Sequence, residues 1–258
     1  MKNKIILNFK IIFRNKIQLL NIILISLLIC ILFLLNTYYI SIKNFVENDI
    51  NNDFHYRSLL VYDQNNDSSN TRKKLESEEN ILGVFSATSR FNGLIASDFA
   101  INNLTGRVDM YAANNQTLPK IILGENFPDN TNNYMICPKD FYPNDGNFDN
   151  LDRSNFINTS DYLNKEIEFQ YNNLIKPDET YSITFKLIGV YENNPVSIDE
   201  NICFVNESAL LEIFKNQEKY NEEISLDTQT GFYVQVDKTE NVDVVTKNLQ
   251  NKGYFVMP

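Results

Sequence analysis

The chain has one histidine, three cysteines and no acidic residue before Glu47. Each scarcity excludes something. His55 is the only imidazole, and a lone histidine beside the membrane stalk reads as a surface or interface residue and not as a catalytic one. Cys30, Cys137 and Cys203 form no CxxC or Cys/His spacing, so a zinc site has no ligand set. No GxSxG elbow and no GxxxxGK[ST] loop is present, which removes the two motifs that would mark a serine hydrolase or an ATPase. We therefore expect no enzyme and assign no catalytic, cofactor-binding or metal-binding residue. No cofactor is expected either.

The missing acids of the N-terminal stretch divide the charge. Residues 1–46 hold six Lys/Arg and no Asp/Glu, a charge of +6. The other residues hold 17 of the 23 basic and all 33 acidic residues, hence −16. A body this acidic is a poor ligand for nucleic acid, which needs clustered positive charge. Asparagine is abundant, at 39 residues, and accompanies much Ile and Lys. That pattern reads as codon bias and carries little functional meaning, and it makes chance matches to the N-x-[ST] sequon common.

What the chain does have is one long apolar run. Ile17–Leu35, IQLLNIILISLLICILFLL, holds no charge and is interrupted only by Gln18, Asn21 and Ser26. As a helix it reaches roughly 28 Å, close to the ~30 Å hydrocarbon core of a bilayer. Tyr38 and Tyr39 follow as interfacial residues. The run exceeds a signal-peptide core, and no small-x-small cleavage site follows it, so an uncleaved anchor over 17–40 is expected. Lys2, Lys4, Lys10, Arg14 and Lys16 precede it and only Lys43 follows closely, which puts the N-terminus in the cytoplasm and residues 47–258 outside the plasma membrane. Ile5, Ile6, Phe9, Ile12 and Phe13 share one face of residues 1–16, opposite Lys2, Lys10 and Arg14, as in a basic amphipathic helix lying at the inner interface. Tyr39, Ile42, Phe45, Val46 and Ile50 keep helical spacing, which extends the anchor as a stalk over 41–55.

Beyond the stalk the pattern is α+β. YRSLLVYD (56–63) predicts a strand, NTRKKLESEEN a helix with Leu75 as its main apolar contact, and ILGVFSATSRF (81–91) another strand. The end of the chain repeats the unit. GFYVQVD (231–237) alternates, TENVDVVTKNLQNK places Val242, Val245 and Leu249 on one face, Gly253 serves as C-cap, and YFVM is a final strand. NICFV followed by ESALLEIFKNQEKY adds a strand and helix. We expect a ferredoxin-like pair of β-α-β pieces over 56–91 and 201–258, with 92–200 as an inserted, mostly β subdomain. VDMYAA, YMICP, EIEFQYN and YSITFKLIGVYEN are its strand candidates.

Two stretches faintly resemble calcium loops. DQNNDSSNTRKK places Asp63, Asn65 and Asp67 at positions 1, 3 and 5, but Ser68 stands where Gly is required and Lys74 where a bidentate Glu closes the site. DGNFDNLDRSNF (145–156) ends in Phe156 and fails the same way. Both read as solvated loops. Cys137 and Cys203 lie in YMICP and NICFV and read as two buried free thiols, with a disulfide as the alternative if the body is outside the cell.

The order of parts resembles the MacB-like, FtsX-like ABC permeases. The basic start with FRNK, the segment LPKIILGENFPDNTNNYMICPKDF, the strand pair LNKEIEFQYN…YSITFKLIGVYENN with Asn164 where Gly is usual, and the strand–helix NICFVNESALLEIFK carry the resemblance. It implies the N-terminal portion of a permease, with a porter part and an inserted β part. The subunit would have no catalysis of its own and would couple ATP hydrolysis by a cytoplasmic ABC ATPase to movement of the outer domain, for export or release of a peptide, antibiotic or lipoprotein. The implied partners are that ATPase, a second permease subunit and the lipid bilayer. The family has further transmembrane helices after the outer domain, and this chain shows one apolar run. The alternatives are a single-pass anchored outer domain that binds a ligand without transport, and an anchored hydrolase.

Overall fold

The computed structural model describes residues 16–50, 53–63, 68–88, 90–101, 104–128, 133–143, 155–172, 178–193, 201–216 and 231–257. The amphipathic pattern expected for residues 1–16 lies outside them save for Lys16. The chain divides into two compact units, Met1–Asn48 and Asp49–Pro258.

In the first unit, helix α1 spans Lys16–Phe45 and is followed by a π-helical turn over Val46–Ile50, where the apolar spacing ends. Its Gln18–Phe45 stretch is long and apolar enough to cross a membrane, and none of it is buried against protein. Leu and Ile are exposed all round the helix. The hydroxyl of Thr37 donates back to the Phe33 carbonyl at 2.9 Å, which satisfies a polar atom within the apolar run. Lys43 and Glu47, four residues apart, approach to 3.6 Å at its C-terminal end.

Among the described residues the second unit holds two large sheets and one two-stranded pair. The smaller has the order β13-β1-β12-β2, every neighbour antiparallel, from β1 (Ser58–Asp63), β2 (Ile81–Ser86), β12 (Gly231–Val236) and β13 (Tyr254–Met257). Helix α2 (Ser68–Glu76) connects β1 to β2, and helix α4 (Val242–Asn251) connects β12 to β13. Leu59, Val61, Val84, Phe232, Val234, Val236 and Val256 form one apolar side with Leu75, Val245 and Leu249 of the helices. The alternation within each strand dictates this side, because successive side chains point to opposite faces. Gly253 sits at φ 88° between α4 and β13, a left-handed position that ends the helix and suits a residue without Cβ.

The larger sheet closes on itself. Its order is β5-β10-β6-β11-β4-β3-β9, and β9 pairs again with β10. The strands are β3 (Arg90–Ala96), β4 (Arg107–Ala112), β5 (Ile121–Gly124), β6 (Tyr134–Pro138), β9 (Glu166–Asn172), β10 (Thr180–Tyr191) and β11 (Ile202–Val205). β10 is long enough to pair with β9 over Thr180–Lys186 and with β6 over Lys186–Tyr191, which makes the ring possible. Six strands thus form a barrel and β5 is appended to β10. β9 reads EIEFQYN, and its Ile167, Phe169 and Tyr171 fill the interior while Glu166, Glu168 and Gln170 face out. Helix α3 (Glu207–Asn216) packs Ala209, Leu210 and Ile213 into the same core. The small hairpin β7 (Asp140–Phe141) and β8 (Ile157–Asn158) adds Phe141. Asn164 has φ 65°, so the position where the resembled family carries Gly does require a left-handed residue, and Asn tolerates it.

Three expectations need correction. ILGVFSATSRF breaks into β2 and β3, which belong to different sheets. NICFV and its helix lie with the barrel, not with the smaller sheet: β11 pairs parallel to β4 and antiparallel to β6. Its four residues are all buried because Cys203 and Val205 face the barrel interior while Ile202 and Phe204 face an outer apolar cluster with Ile136 and Tyr191. Finally, Cys137 and Cys203 are not free thiols but a disulfide, with Cα atoms 4.3 Å apart. The register Phe204↔Ile136 and Val205↔Met135 sets Cys203 opposite Cys137 on neighbouring antiparallel strands, and a directly opposed pair comes close enough to bond.

Candidate functional site

The two sheets of the second unit meet at two polar places. The first is built on β2, an edge strand of the smaller sheet. Residues 83, 85 and 87 face β12, since Ala87 N–H donates to the Gly231 carbonyl at 2.7 Å and the main-chain direction alternates along the strand. Residues 82, 84 and 86 therefore turn their main-chain groups outward. Side chains take them up. Asn114 Nδ2 donates to the Leu82 carbonyl at 3.3 Å, Arg72 donates to the Val84 carbonyl at 2.9 Å, and the Ser86 N–H donates to Glu207 Oε1.

Those side chains come from three elements. Arg72 lies on α2, Asn114 follows β4, and Glu207 begins α3. Arg72 also donates to Glu207 Oε2 at 2.7 Å and to Glu76 Oε1 at 3.1 Å, so one guanidinium joins two carboxylates and a carbonyl. Burial, the largest single influence, would lower the Arg72 pKa, but the Glu207 and Glu76 carboxylates together outweigh it and the net direction is upward. Asn115 holds the opposite wall by exchanging hydrogen bonds with the Phe127 main chain, both at 3.0 Å. Here lies a cleft of about 620 Å³, lined by Arg72, Glu76, Ile81–Phe85, Ala113–Gln116, Phe127, Pro128 and Asn206–Ser208.

The second place is a cationic joint. The Arg90 guanidinium of β3 lies 3.7 Å from the ring centroid of Tyr233 on β12, 4.6 Å from that of Tyr111 on β4 and 5.6 Å from that of Phe54. One charge on the barrel thus faces aromatic rings from both sheets and from the segment that precedes β1. Below it, buried Arg57 donates to the carbonyls of Val236 and Asp237, each at 3.1 Å, and to that of Asp53 at 3.3 Å. Burial lowers the Arg57 pKa, and the carboxylates of Asp53 and Asp237 oppose that shift. Gln235 Nε2 donates to the Phe54 carbonyl at 3.2 Å and fixes the same segment to β12.

The sequence candidates fare differently. His55 is half-buried, edge-on to Phe54 and Tyr111 at 6.1 and 5.9 Å, and its main-chain N–H donates to Asp53 Oδ1 at 2.7 Å. Its surroundings are those of a packed aromatic residue. Asp63 accepts from the Thr71 hydroxyl, and Lys74 is exposed on α2, so these two ends of the first loop do not converge. Asn65, Asp67 and the Ser68 side chain lie outside the described residues, as does most of 145–156; its last residue, Phe156, is exposed. Among the described residues no group of three His, Cys, Asp or Glu side chains could hold a metal ion. Arg72, Glu207, Asn114 and Arg90, which shape both polar places, carried no signal in the sequence, because no motif links positions so far apart.

No family model matches the chain, and no curated protein matches it. Among solved structures it is similar to the extracellular domain of the noncanonic ABC-type transporter YknZ from Gram-positive bacteria, at 13% identity and a TM-score of 0.40, over 78% of this chain and 100% of that one.

Proposed function

We propose that the chain is part of an ABC transporter permease of the MacB-like, FtsX-like type, anchored by α1 with its acidic body outside the membrane. The observation that carries this reading is the pairing of one long apolar helix with a body made of an open α+β sheet and a β-barrel. In that sheet β1 pairs antiparallel with β13, and Met257 lies opposite Leu60. The strand order with two β-α-β crossovers supports a ferredoxin-like porter part, and the barrel supports the inserted β part. The Cys137–Cys203 disulfide supports an oxidising, extracytoplasmic location.

On this reading the subunit does no chemistry itself. A cytoplasmic ABC ATPase and a second permease subunit work with it, and ATP-driven motion of the helices reaches the body through residues 41–55. The substrate class is a peptide, antibiotic or lipoprotein. The test has two arms. With Cys30 replaced, a membrane-impermeant maleimide applied to whole cells labels Asn150→Cys and spares Asn3→Cys; labelling of both sinks the topology. The DNA beyond the Pro258 codon and its neighbouring genes encode further apolar segments of about 20 residues and a Walker A protein. Unrelated sequence there favours the second reading, a single-pass anchored domain that binds a ligand without transport, to which the ligand-sized cleft beside β2 would then belong.

A further inference from the structure

We infer that the outward edge of β2 is a strand-addition site for an extended segment of a partner protein, held shut by a latch made of Arg72, Asn114 and Glu207. Two observations carry it. First, an incoming strand would offer N–H groups to the Leu82 and Val84 carbonyls and a carbonyl to the Ser86 N–H, and the latch already supplies two donors and one acceptor at those atoms. An open edge is a template for pairing with another chain, and side-chain capping keeps it closed until a partner competes. Second, the edge faces a walled cleft of about 620 Å³, so a single extended chain can enter beside β2 while the sheet of a second copy meets the wall around Asn115 and Phe127.

Charge fixes the chemistry of the partner. Glu76 and Glu207 share one Arg72, and the body outside the anchor carries −16, so a Lys or Arg on the incoming segment can take the place that Arg72 gives up. The partner segment is therefore extended and basic. This inference stands on the geometry of the second unit and not on the transporter reading; either can fail without the other.

The test uses the full chain in detergent micelles and a fluorescein-labelled hexapeptide of alternating valine and lysine as probe. Arg72→Met opens the Val84 carbonyl and releases Glu207, and the probe then binds about tenfold tighter than to the parent chain, the worth of one to two net hydrogen bonds. N-methylation of the three alternate amides that would face β2 reverses the gain, whereas methylation of the other three does not. If Arg72→Met loses its cooperative melt, Asn114→Ala, which frees the Leu82 carbonyl, is expected to tighten binding severalfold. Equal affinity for the parent and the folded latch variants, or indifference to both methylation patterns, overturns the site. The same hexapeptide fused as the tail of a carrier protein binds as tightly as the free probe; binding of the free peptide only overturns the assignment to a protein partner. A shift of Arg72→Met to a dimer without probe shows that a second copy fills the edge and overturns it too.

Discussion

The barrel and the smaller sheet solve the same problem in opposite ways. Both are built from strands that turn apolar side chains toward a core. The barrel pairs β9 with β10 and so removes its edges, buries Phe169 and Phe185 at its centre, and adds a covalent bond between β6 and β11. The smaller sheet stays open. Helices cover one face, β2 lies along the cleft with side chains on its outward groups, and β13 forms the other edge with Phe255 and Met257 exposed. Closure makes a rigid body, and an open sheet leaves main-chain groups that something else must satisfy. The polar residues that matter most therefore gather where the open sheet meets the closed one.

The largest test of this contrast is the disulfide. It closes a loop 66 residues apart in sequence, and the Cys137→Ala/Cys203→Ala pair is expected to cost about 4 kcal/mol in a urea titration of the full chain. A loss below about 1 kcal/mol would show that ring closure already restrains the barrel without the bond. Leu59→Ala empties a fully buried position in the smaller sheet and is expected to cost about 3 kcal/mol. If urea then resolves two transitions, only the first moved by Leu59→Ala, the sheets unfold separately; a single transition joins them. Arg90→Ala removes the charge between the two and is expected to cost about 2 kcal/mol. It should also speed hydrogen exchange at Tyr233 and Tyr111 more than within β9, and uniform exchange would deny Arg90 its role as a joint. Smallest is Gly253→Ala, about 1 kcal/mol from a left-handed backbone with no atom nearby to clash. That loss should fray β13 and leave the barrel's exchange unchanged.

Much of the secondary structure was legible. The α2 and α4 helices, the alternation of β9 and the apolar halves of β4, β6 and β10 follow from periodicity, which depends on near neighbours in sequence. What failed did so for one reason. β2 ends at Ser86 in one sheet and β3 begins at Arg90 in another, and nothing in ILGVFSATSRF distinguishes that passage from a continuous strand. NICFV shows that it is buried on both faces but not beside which strands. The two cysteines show no relation until β6 and β11 are known to be neighbours. Of the candidate site nothing was legible: Arg72, Asn114 and Glu207 look like ordinary surface residues of a helix, a loop and a helix start.

The sequence by itself determined the long apolar helix, because a run of uncharged apolar side chains long enough to cross a bilayer needs no partner to define it. It also determined the left-handed turn at Gly253, where local backbone sterics favour a residue without Cβ. The tertiary structure decided the barrel's closure, the disulfide, the place of β11 and the latch on β2. Each depends on which strands become neighbours, and that choice is made by the packing of distant segments against one another, for which sequence spacing holds no record.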